Sequence, residues 1–183
     1  MKTKSTPLYI LRLAVTLFII AACVAAALAG VNAITAPRIA EFNAKKTQAA
    51  IEAVLPGGGE KVESFTDATG LVKAVYASET GYAVQVTPAG FGGKIDMMVG
   101  IDKNGNIIAI DVISHTETAG LGSVAAESTS KGEEFRGQFA GLSGQLAVEK
   151  DGGQIDSITS ATITSRAIVT GVNAALECVK NFG

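Results

Sequence analysis

Charged residues are absent from one long stretch near the start of the chain. From Leu13 to Ala36 no side chain carries a charge, and most are apolar. A bilayer core of about 30 Å needs roughly 20 apolar residues in helical form. The hydrophobic pattern therefore predicts a transmembrane helix at residues 13–36, preceded by a short N-terminal segment at residues 1–12.

A cleavable signal peptide is the competing interpretation of this stretch. The residues Ala27-Leu-Ala-Gly30 resemble a small-residue cleavage site. The apolar run is long for a signal peptide and continues past that site, so we expect a retained membrane helix. Either interpretation exports the rest of the chain. Basic residues lie on both sides of the run, at Lys2, Lys4 and Arg12 before it and at Arg38, Lys45 and Lys46 after it. The positive-inside signal is therefore weak.

A polar, amphipathic helix is predicted directly after the apolar run. Pro37 would fit the first turn of this helix, where its missing N–H needs no partner. Pro56 and the glycines at 57–59 would end it. We therefore predict a helical stalk and linker at residues 37–59, without chemistry of its own, and a domain at residues 60–183.

Alternating or continuous apolar runs predict strands within that domain. The predicted strands cover residues 71–77, 82–86, 94–101, 107–113 and 146–149. Asn104-Gly105 is a strong hairpin signal between two of them. Asp102, Asn104 and Asn106 occupy alternate positions, as the first oxygen ligands of an EF-hand calcium loop do. Position 113 is Ile where such a loop needs a bidentate Glu, so we interpret these residues as a turn.

The segments between the strands predict loops and short helices. Pro88–Gly93 is rich in glycine but lacks the strand-to-helix context of a nucleotide fingerprint, so it is interpreted as a loop. Ser123 is predicted to cap a helix start. Phe135 and Phe139 are four residues apart and predict an apolar pair on a short helix.

A hydroxyl-rich stretch near the C-terminus leads into an amphipathic helix. Six of the ten residues from Asp156 to Ser165 are Ser or Thr. The segment after it has apolar residues at a spacing that puts them on one face of a helix: Ile168, Val172, Ala175, Leu176 and Val179. The first turn of a helix has free N–H groups and the positive end of the macrodipole, which suits a phosphate. A simple N-cap is the alternative, because Ser and Thr are common caps. The pattern alone leaves both interpretations open.

Composition excludes several classes of site. The net charge is −2 and aromatic residues make up 5% of the chain, so neither a basic surface nor a stacking platform for nucleic acid is expected. Cys23 and Cys178 give no metal-binding spacing. A single histidine, His115, argues against a His-rich metal site. His115 and Glu117 could act as a general base pair, or they could lie in an ordinary polar loop.

Two stretches resemble motifs of the FMN-binding domain family. Asp156 followed by Thr159-Ser-Ala-Thr-Ile-Thr164 is similar to the flavinylation motif, in which the last Thr forms a phosphoester with the FMN phosphate. The family more often has Gly where this chain has Ser160, and a backbone with φ > 0 there would cost more with a Cβ. The stretch from His115 to Gly122 is similar to a second motif that lies beside the flavin ring and usually has Pro in place of Ala119.

The resemblance implies one covalent FMN and its site residues. The linked residue would be Thr164, and a flavin transferase would make the bond with FAD as donor. A phosphoester keeps its negative charge beside the helix N-terminus. The cofactor-binding residues implied are Asp156, Thr159, Ser160, Ala161, Thr162 and Thr164 in the first motif and His115, Glu117, Thr118, Gly120, Leu121 and Gly122 in the second. No metal site is implied.

Within this family, the chain most resembles the G-subunit family of Rnf complexes, which are ion-translocating ferredoxin:NAD oxidoreductases. That resemblance implies a small α+β domain with an antiparallel sheet, on the extracytoplasmic side of the cell membrane behind a single-pass helix. Residues 1–12 would be cytoplasmic. Electrons would pass between an iron–sulfur centre and another flavin in neighbouring subunits, driving Na⁺ or H⁺ transport. No stand-alone turnover is expected.

Three other interpretations stay open. The C subunit of a sodium-pumping NADH:quinone reductase carries the same domain, usually on a longer chain. A membrane-anchored binding module without a cofactor would make the hydroxyl-rich stretch a simple helix cap. A self-contained FMN reductase is the weakest, because the chain has no nicotinamide fingerprint and little length for a substrate domain.

Overall fold

A computed structural model describes residues 6–180 and residue 182, with side chains from residue 8 onward. Lys2 and Lys4, two of the basic residues that precede the apolar run, lie outside the described residues. The chain divides into two compact units, Met1–Lys45 and Lys46–Gly183.

One long helix, α1 (Thr6–Val54), makes up the described part of the first unit and ends in the second. Its large apolar side chains from Leu8 to Phe42 are exposed, with exposed fractions of 48–74%. Among the described residues it is the one helix long and apolar enough to cross a membrane, by length and composition. Exposed apolar side chains on such a helix suit a lipid environment. The helix also satisfies its backbone hydrogen bonds internally, which the interior of a membrane requires.

Pro37 lies in the interior of α1 rather than in the first turn of a separate helix, so that detail of the stalk prediction is wrong. Proline removes one N–H from the helical ladder, and the rest of a long helix can hold the backbone on both sides of it. The predicted end of the helix before Pro56 is confirmed.

The second unit contains a five-stranded sheet in which every strand is antiparallel to the next. The strands are β1 (Glu60–Lys61), β2 (Val72–Ala77), β3 (Gly81–Val86), β4 (Asp96–Asp102) and β5 (Ile107–Ser114), in that spatial order. The four longer strands confirm the predicted ones. The turn between β4 and β5 is closed by the Asp102 carboxylate, which accepts hydrogen bonds from the backbone N–H groups of Asn104 and Asn106, both 2.8 Å long.

Two α-helices and two short 3₁₀ helices follow the sheet in sequence. The α-helices are α2 (Ser130–Gly137) and α3 (Thr162–Lys180), and the 3₁₀ helices cover Gly122–Ala126 and Glu149–Asp151. The predicted Phe135–Phe139 pair is in contact, with ring centroids 5.6 Å apart, but Phe139 lies in the turn that follows α2 and not on the helix. Ser123 does not cap a helix. It lies inside the first 3₁₀ helix, where its hydroxyl accepts from the Gly120 N–H and donates to the Glu127 carboxylate.

The strand predicted at residues 146–149 is not formed. Val148 makes one isolated parallel bridge with Ile155, and a 3₁₀ helix begins at the next residue. The backbone N–H and C=O of Leu146 bond to the side-chain amide of Asn173 on α3, at 2.9 and 2.8 Å. The apolar residues Leu146 and Val148 occupy alternate positions because both side chains are buried in the core. The Asn173 side chain supplies the backbone hydrogen bonds that a partner strand would otherwise make.

Helices cover both faces of the sheet. The predicted apolar face of α3, including Ile168 and Val172, is buried in the larger core cluster with side chains such as Val84 and Val99. Successive strand residues point to opposite faces, so Ala83 and Met98 face the other side. There they pack with Ala50, Ile51 and Val54 at the end of α1 and with Leu55 directly after it. Each large side chain buried there contributes about 1.5–3 kcal/mol.

Candidate functional site

Three segments meet at one end of the sheet. Asp96 at the start of β4 pairs with Ser114 at the end of β5. The loop before β4 and the segment after β5 therefore emerge together, and the first turn of α3 lies against them. These segments enclose a cavity of about 330 Å³. It is lined by Phe91, Glu117, Thr118, Leu121, Gly122 and the five residues from Ser160 to Thr164.

Thr164 lies in the first turn of α3. The first backbone hydrogen bond across this turn is donated by Ser165 to the Ala161 carbonyl, at 3.0 Å. The N–H groups of residues 162, 163 and 164 come before it and have no acceptor within the helix. The Thr164 side chain is only 2% exposed, and its hydroxyl donates a hydrogen bond to Oε2 of Glu117. This hydroxyl therefore lies where a helix terminus favours negative charge.

Glu117 connects the three segments. Its side chain is buried, and Oε1 accepts a hydrogen bond of 2.8 Å from the Gly92 N–H in the loop before β4. The Thr116 hydroxyl donates to the carbonyl of the same glycine at 3.0 Å. The backbone N–H of Glu117 donates to Nδ1 of His115 at 3.2 Å. Hydrogen bonds to a carboxylate are strong in a buried setting, so the loop, the Glu117 segment and α3 are held together.

Two glycines leave room for this carboxylate. A Cβ at Gly90 would overlap Oε1 of Glu117, and a Cβ at Gly122 would overlap Oε2 and the Thr164 hydroxyl. Buried close contacts of this kind tolerate no extra methyl group without local movement. The glycines around the site therefore permit the approach of Glu117 to Thr164.

Neighbouring hydroxyls have different partners. The Ser165 hydroxyl accepts from the Ile158 N–H at 3.0 Å and donates to the Ala161 carbonyl at 3.1 Å. It thereby bonds the backbone that precedes α3, at Ile158 and Ala161, to the first turn of the helix. The Thr162 hydroxyl accepts from the Lys150 ammonium at 2.9 Å.

Two basic side chains lie close to the start of α3. The Arg166 guanidinium donates two hydrogen bonds to Asp151, at 2.7 and 2.6 Å. These hydrogen bonds hold the pKa of Asp151 below its ordinary value. Arg166 is thus paired with a carboxylate. The Lys150 ammonium instead donates to the hydroxyl of Thr162, a residue that lines the cavity, so its positive charge lies close to the cavity.

Four residues of the two motifs lie away from this cavity. Asp156, Thr159 and Gly120 line a neighbouring cavity of about 360 Å³. The backbone N–H and C=O of Asp156 are held by the side-chain amide of Gln138, at 2.7 and 3.2 Å. His115 lies behind Glu117 and is not among the residues that line the main cavity.

The motifs did not identify Phe91 and Lys150, because both come from other parts of the chain. Ile163 lies inside the hydroxyl-rich stretch but was not predicted to face the cofactor. Among the described residues, no three His, Cys, Asp or Glu side chains are arranged to hold a metal ion.

Comparison with known proteins matches nearly the whole chain. The FMN-binding domain family matches residues 90–177, and the RnfG N-terminal region matches residues 1–54. The G subunit of the ion-translocating oxidoreductase complex of Stutzerimonas stutzeri is 35% identical over 181 residues, covering 90% of this chain and 78% of that protein. The chain belongs to the G-subunit family of ion-translocating oxidoreductase complexes.

Other members of the G-subunit family come from distant organisms. The G subunit of the Na(+)-translocating ferredoxin:NAD(+) oxidoreductase complex of Acetobacterium woodii is 32% identical, covering 94% of this chain and 93% of that protein. The G subunit of the ion-translocating oxidoreductase complex of Methanosarcina acetivorans is 30% identical, covering 93% of this chain and 94% of that protein. The resemblance expected from the two motifs is thereby confirmed, as is the α+β fold.

The residues around the cavity suit FMN. The matched FMN-binding region begins at the loop that carries Phe91 and ends in α3, so all three segments of the site lie within it. The free N–H groups at the start of α3, together with Lys150, provide the positive environment that a phosphate needs. The cavity is of the size found for small-molecule sites, and its wall combines apolar side chains with a few polar groups.

Proposed function

We propose that this G subunit carries FMN covalently, as a phosphoester of Thr164, and transfers electrons within an ion-translocating ferredoxin:NAD oxidoreductase complex. The observation that carries the proposal is the Thr164 hydroxyl, which lies in the first turn of α3 and at the wall of the cavity in the FMN-binding domain. Bound FMN supplies redox chemistry, and the protein supplies position and electrostatic environment.

The residues around Thr164 have distinct parts in this proposal. The Thr164 oxygen would be the linking atom of the ester, and Lys150 and the N–H groups of the first turn would balance the phosphate charge. A flavin transferase would attach the group with FAD as donor: the Thr164 oxygen forms a bond to the FMN phosphorus, the pyrophosphate bond of FAD breaks, and AMP leaves with the proton of the hydroxyl. Esterification removes the hydroxyl hydrogen, so the bond from Thr164 to Glu117 would be lost. The bond from Gly92 to the other carboxylate oxygen would keep the loop in place.

Covalent attachment suits a relay, because a linked cofactor cannot dissociate between electron transfers. The chain would pass electrons between an iron–sulfur centre in the membrane subunits and another flavin in a neighbour, and it would have no turnover alone. The names of its relatives support membership of a multi-subunit complex. They also favour an Rnf-type complex over a sodium-pumping NADH:quinone reductase, and the FMN-binding match argues against a module without a cofactor.

The α1 helix would anchor the protein and contact other membrane subunits, with the FMN-binding domain on the extracytoplasmic side. Relatives carry names of both kinds, Na(+)-translocating and proton-translocating. The apolar run from Leu13 to Ala36 contains no acidic residue, so we propose that other subunits carry the transported ion.

The intact mass of the protein tests the attachment site. The protein is produced in a host with an active flavin transferase, beside Thr164→Ala and the control Thr170→Ala. Thr170 is an exposed residue of α3 whose hydroxyl bonds to the Arg166 carbonyl, so its loss should leave the site intact. We expect a gain equal to FMN less one water in the wild type and the control, and no gain in Thr164→Ala. An unmodified wild type, or a modified Thr164→Ala, would refute the proposal.

A further inference from the structure

One hydroxyl in the stretch at residues 156–165 is bonded to a carboxylate. Six Ser and Thr side chains lie in this stretch, and all six are in the described part of the chain. The Thr164 hydroxyl donates to Oε2 of Glu117. The Ser165 hydroxyl donates to a backbone carbonyl, and the Thr162 hydroxyl accepts from a lysine ammonium. Thr164 is therefore the hydroxyl whose proton is directed at a side chain able to take it.

The Glu117 carboxylate is held in position for this contact. Its Oε1 accepts from the Gly92 N–H at 2.8 Å, which leaves Oε2 for Thr164. A Cβ at Gly122 would overlap both Oε2 and the Thr164 hydroxyl, so the two groups meet only because position 122 has no side chain. A nucleophile bonded to a base, with a third group that orients the base, is the arrangement by which proteins activate a hydroxyl.

Burial limits the other routes by which Thr164 could lose its proton. Thr164 is 2% exposed and Glu117 is 9% exposed, so little bulk water reaches the hydroxyl. Nδ1 of His115 accepts from the Glu117 backbone N–H at 3.2 Å, so this nitrogen already has a donor. A hydroxyl is a weak nucleophile until a base takes its proton. A proton acceptor is therefore needed beside Thr164, and Glu117 occupies that position.

We propose that Glu117 is the general base of the attachment reaction, so that this chain supplies a catalytic group for its own modification. The inference rests on the proposed attachment at Thr164. As the Thr164 oxygen forms its bond to the FMN phosphorus of FAD, Oε2 of Glu117 takes the hydroxyl proton. The pyrophosphate bond breaks, AMP leaves, and the proton passes through solvent to the AMP phosphate. In protein kinases a carboxylate likewise accepts the proton of the hydroxyl that attacks phosphorus.

The proposal assigns the choice of the modified residue to this chain. Ser160 and Thr162 also line the cavity, and Ser165 is the next residue after Thr164. None of these three hydroxyls bonds to a carboxylate within the described part of the chain. A transferase would therefore attach FMN at Thr164 because that hydroxyl is the one paired with a base.

The rate of modification tests this role. The full-length protein is made in a host without the transferase, purified in detergent, and mixed with FAD and an excess of active transferase. The mass gain of FMN less one water is followed over time. Glu117→Gln keeps the size of the side chain but removes the base, so we expect the rate to fall by about 10²- to 10⁴-fold near pH 7. Long incubation should still give modified protein.

Glu127→Gln is the matched control. Glu127 follows in the same segment, and its carboxylate also accepts from a hydroxyl, that of Ser123, at 2.8 Å. Because Glu127 bonds to Ser123 and not to Thr164, its replacement should leave the rate of modification close to that of the wild type.

The pH dependence separates catalysis from a structural role. Without the base, the hydroxyl loses its proton to hydroxide, whose concentration rises tenfold with each pH unit. The ratio of the wild-type rate to the Glu117→Gln rate should therefore fall by up to about 10-fold per unit between about pH 7 and about pH 9. Titrating groups of the transferase affect both rates and cancel in this ratio. A ratio that is constant with pH, or a variant that stays unmodified at every pH, would indicate a structural role and overturn the proposal.

The outcomes also separate this inference from the attachment itself. If the wild type gains no mass, the attachment at Thr164 is wrong and the proposed base is wrong with it. If the wild type and Glu117→Gln gain mass at equal rates, the attachment stands, the transferase supplies the base, and Glu117 is not catalytic.

Discussion

Ser160 has a backbone conformation that residues with a Cβ rarely adopt. Its φ is 63°, and among the described residues it is the one non-glycine residue with a positive φ. The side chain is exposed, and its hydroxyl makes no hydrogen bond within the described part of the chain. Replacing Ser160 with glycine should therefore relieve strain at the start of α3 without removing a contact.

Two opposing effects set the size of this change. A left-handed conformation costs an L-residue roughly 1–2 kcal/mol. Glycine removes that cost but gives the unfolded chain more freedom, which lowers stability by about 0.4–1 kcal/mol. We expect Ser160→Gly to raise the free energy of unfolding by about 0.5–1 kcal/mol. For a domain of this size, that corresponds to a Tm rise of about 2–4 °C.

Cys178 provides an assay that works in detergent. Its thiol is 2% exposed, and burial raises its pKa, so it reacts slowly with thiol reagents while the domain is folded. In a Cys23→Ser background, labelling of Cys178 after brief exposure to increasing urea reports unfolding of the second unit alone. The midpoint and slope then give the free energy of unfolding.

Two further substitutions distinguish backbone strain from other causes. Ser160→Ala keeps the Cβ and should leave stability unchanged within about 0.5 kcal/mol. Ser160→Val places a β-branched residue at positive φ and should destabilise the domain by more than about 1 kcal/mol. If Gly and Ala gave the same stability, or if Gly lowered it, the reasoning from the φ angle would be wrong.

Three other predictions concern the site and the acid stability of the sheet. In Gly122→Ala, the new methyl group would displace Glu117 from Thr164, so we expect a loss of about 1–3 kcal/mol in the labelling assay and less ester by mass; a neutral outcome would exclude this packing. In Glu117→Gln, removal of a negative charge should raise the reduction potential of the bound flavin, and an unchanged redox titration would rule out that influence. Hydrogen bonds from the Asn106 side chain and backbone hold the pKa of Asp102 below its ordinary 3.8. That stabilisation is present above pH 3.8 and is lost as the pH falls through the lower folded value, so urea melts of Asp102→Asn should depend less on pH below about pH 4 than those of wild type.

The central fold could be predicted because its signals are local. Alternating apolar residues and Asn104-Gly105 located the strands and their hairpin, and the helical spacing located α3. The short strand β1 has two exposed residues and so no hydrophobic pattern. The error at Leu146 arose because burial against α3 produces the same alternation as a strand, and only the three-dimensional structure identifies Asn173 as the hydrogen-bond partner.

The site was predictable only where its residues share a motif. Phe91 reaches the cavity because β4 and β5 pair in a register that brings two distant loops together. Lys150 reaches Thr162 from a 3₁₀ helix that no periodicity marks. Such contacts depend on strand register and helix docking, and these are set by the packing of the whole domain rather than by neighbouring letters.

The hydroxyl-rich stretch left two interpretations open, and in the structure two neighbouring hydroxyls of this stretch have partners of different kinds. Ser165 bonds only to backbone groups and is fully buried, so its contribution is to hold the start of α3. Thr164 is next to it in the chain, but its hydroxyl donates to the Glu117 carboxylate of another segment and not to a backbone group of the helix. An N-cap oxygen accepts from an N–H of the first helical turn, and neither the Ser165 nor the Thr164 hydroxyl has such a partner. Because Ser and Thr present the same hydroxyl in either position, composition could not distinguish these two residues, and the difference in their hydrogen-bond partners supports the proposed attachment at Thr164.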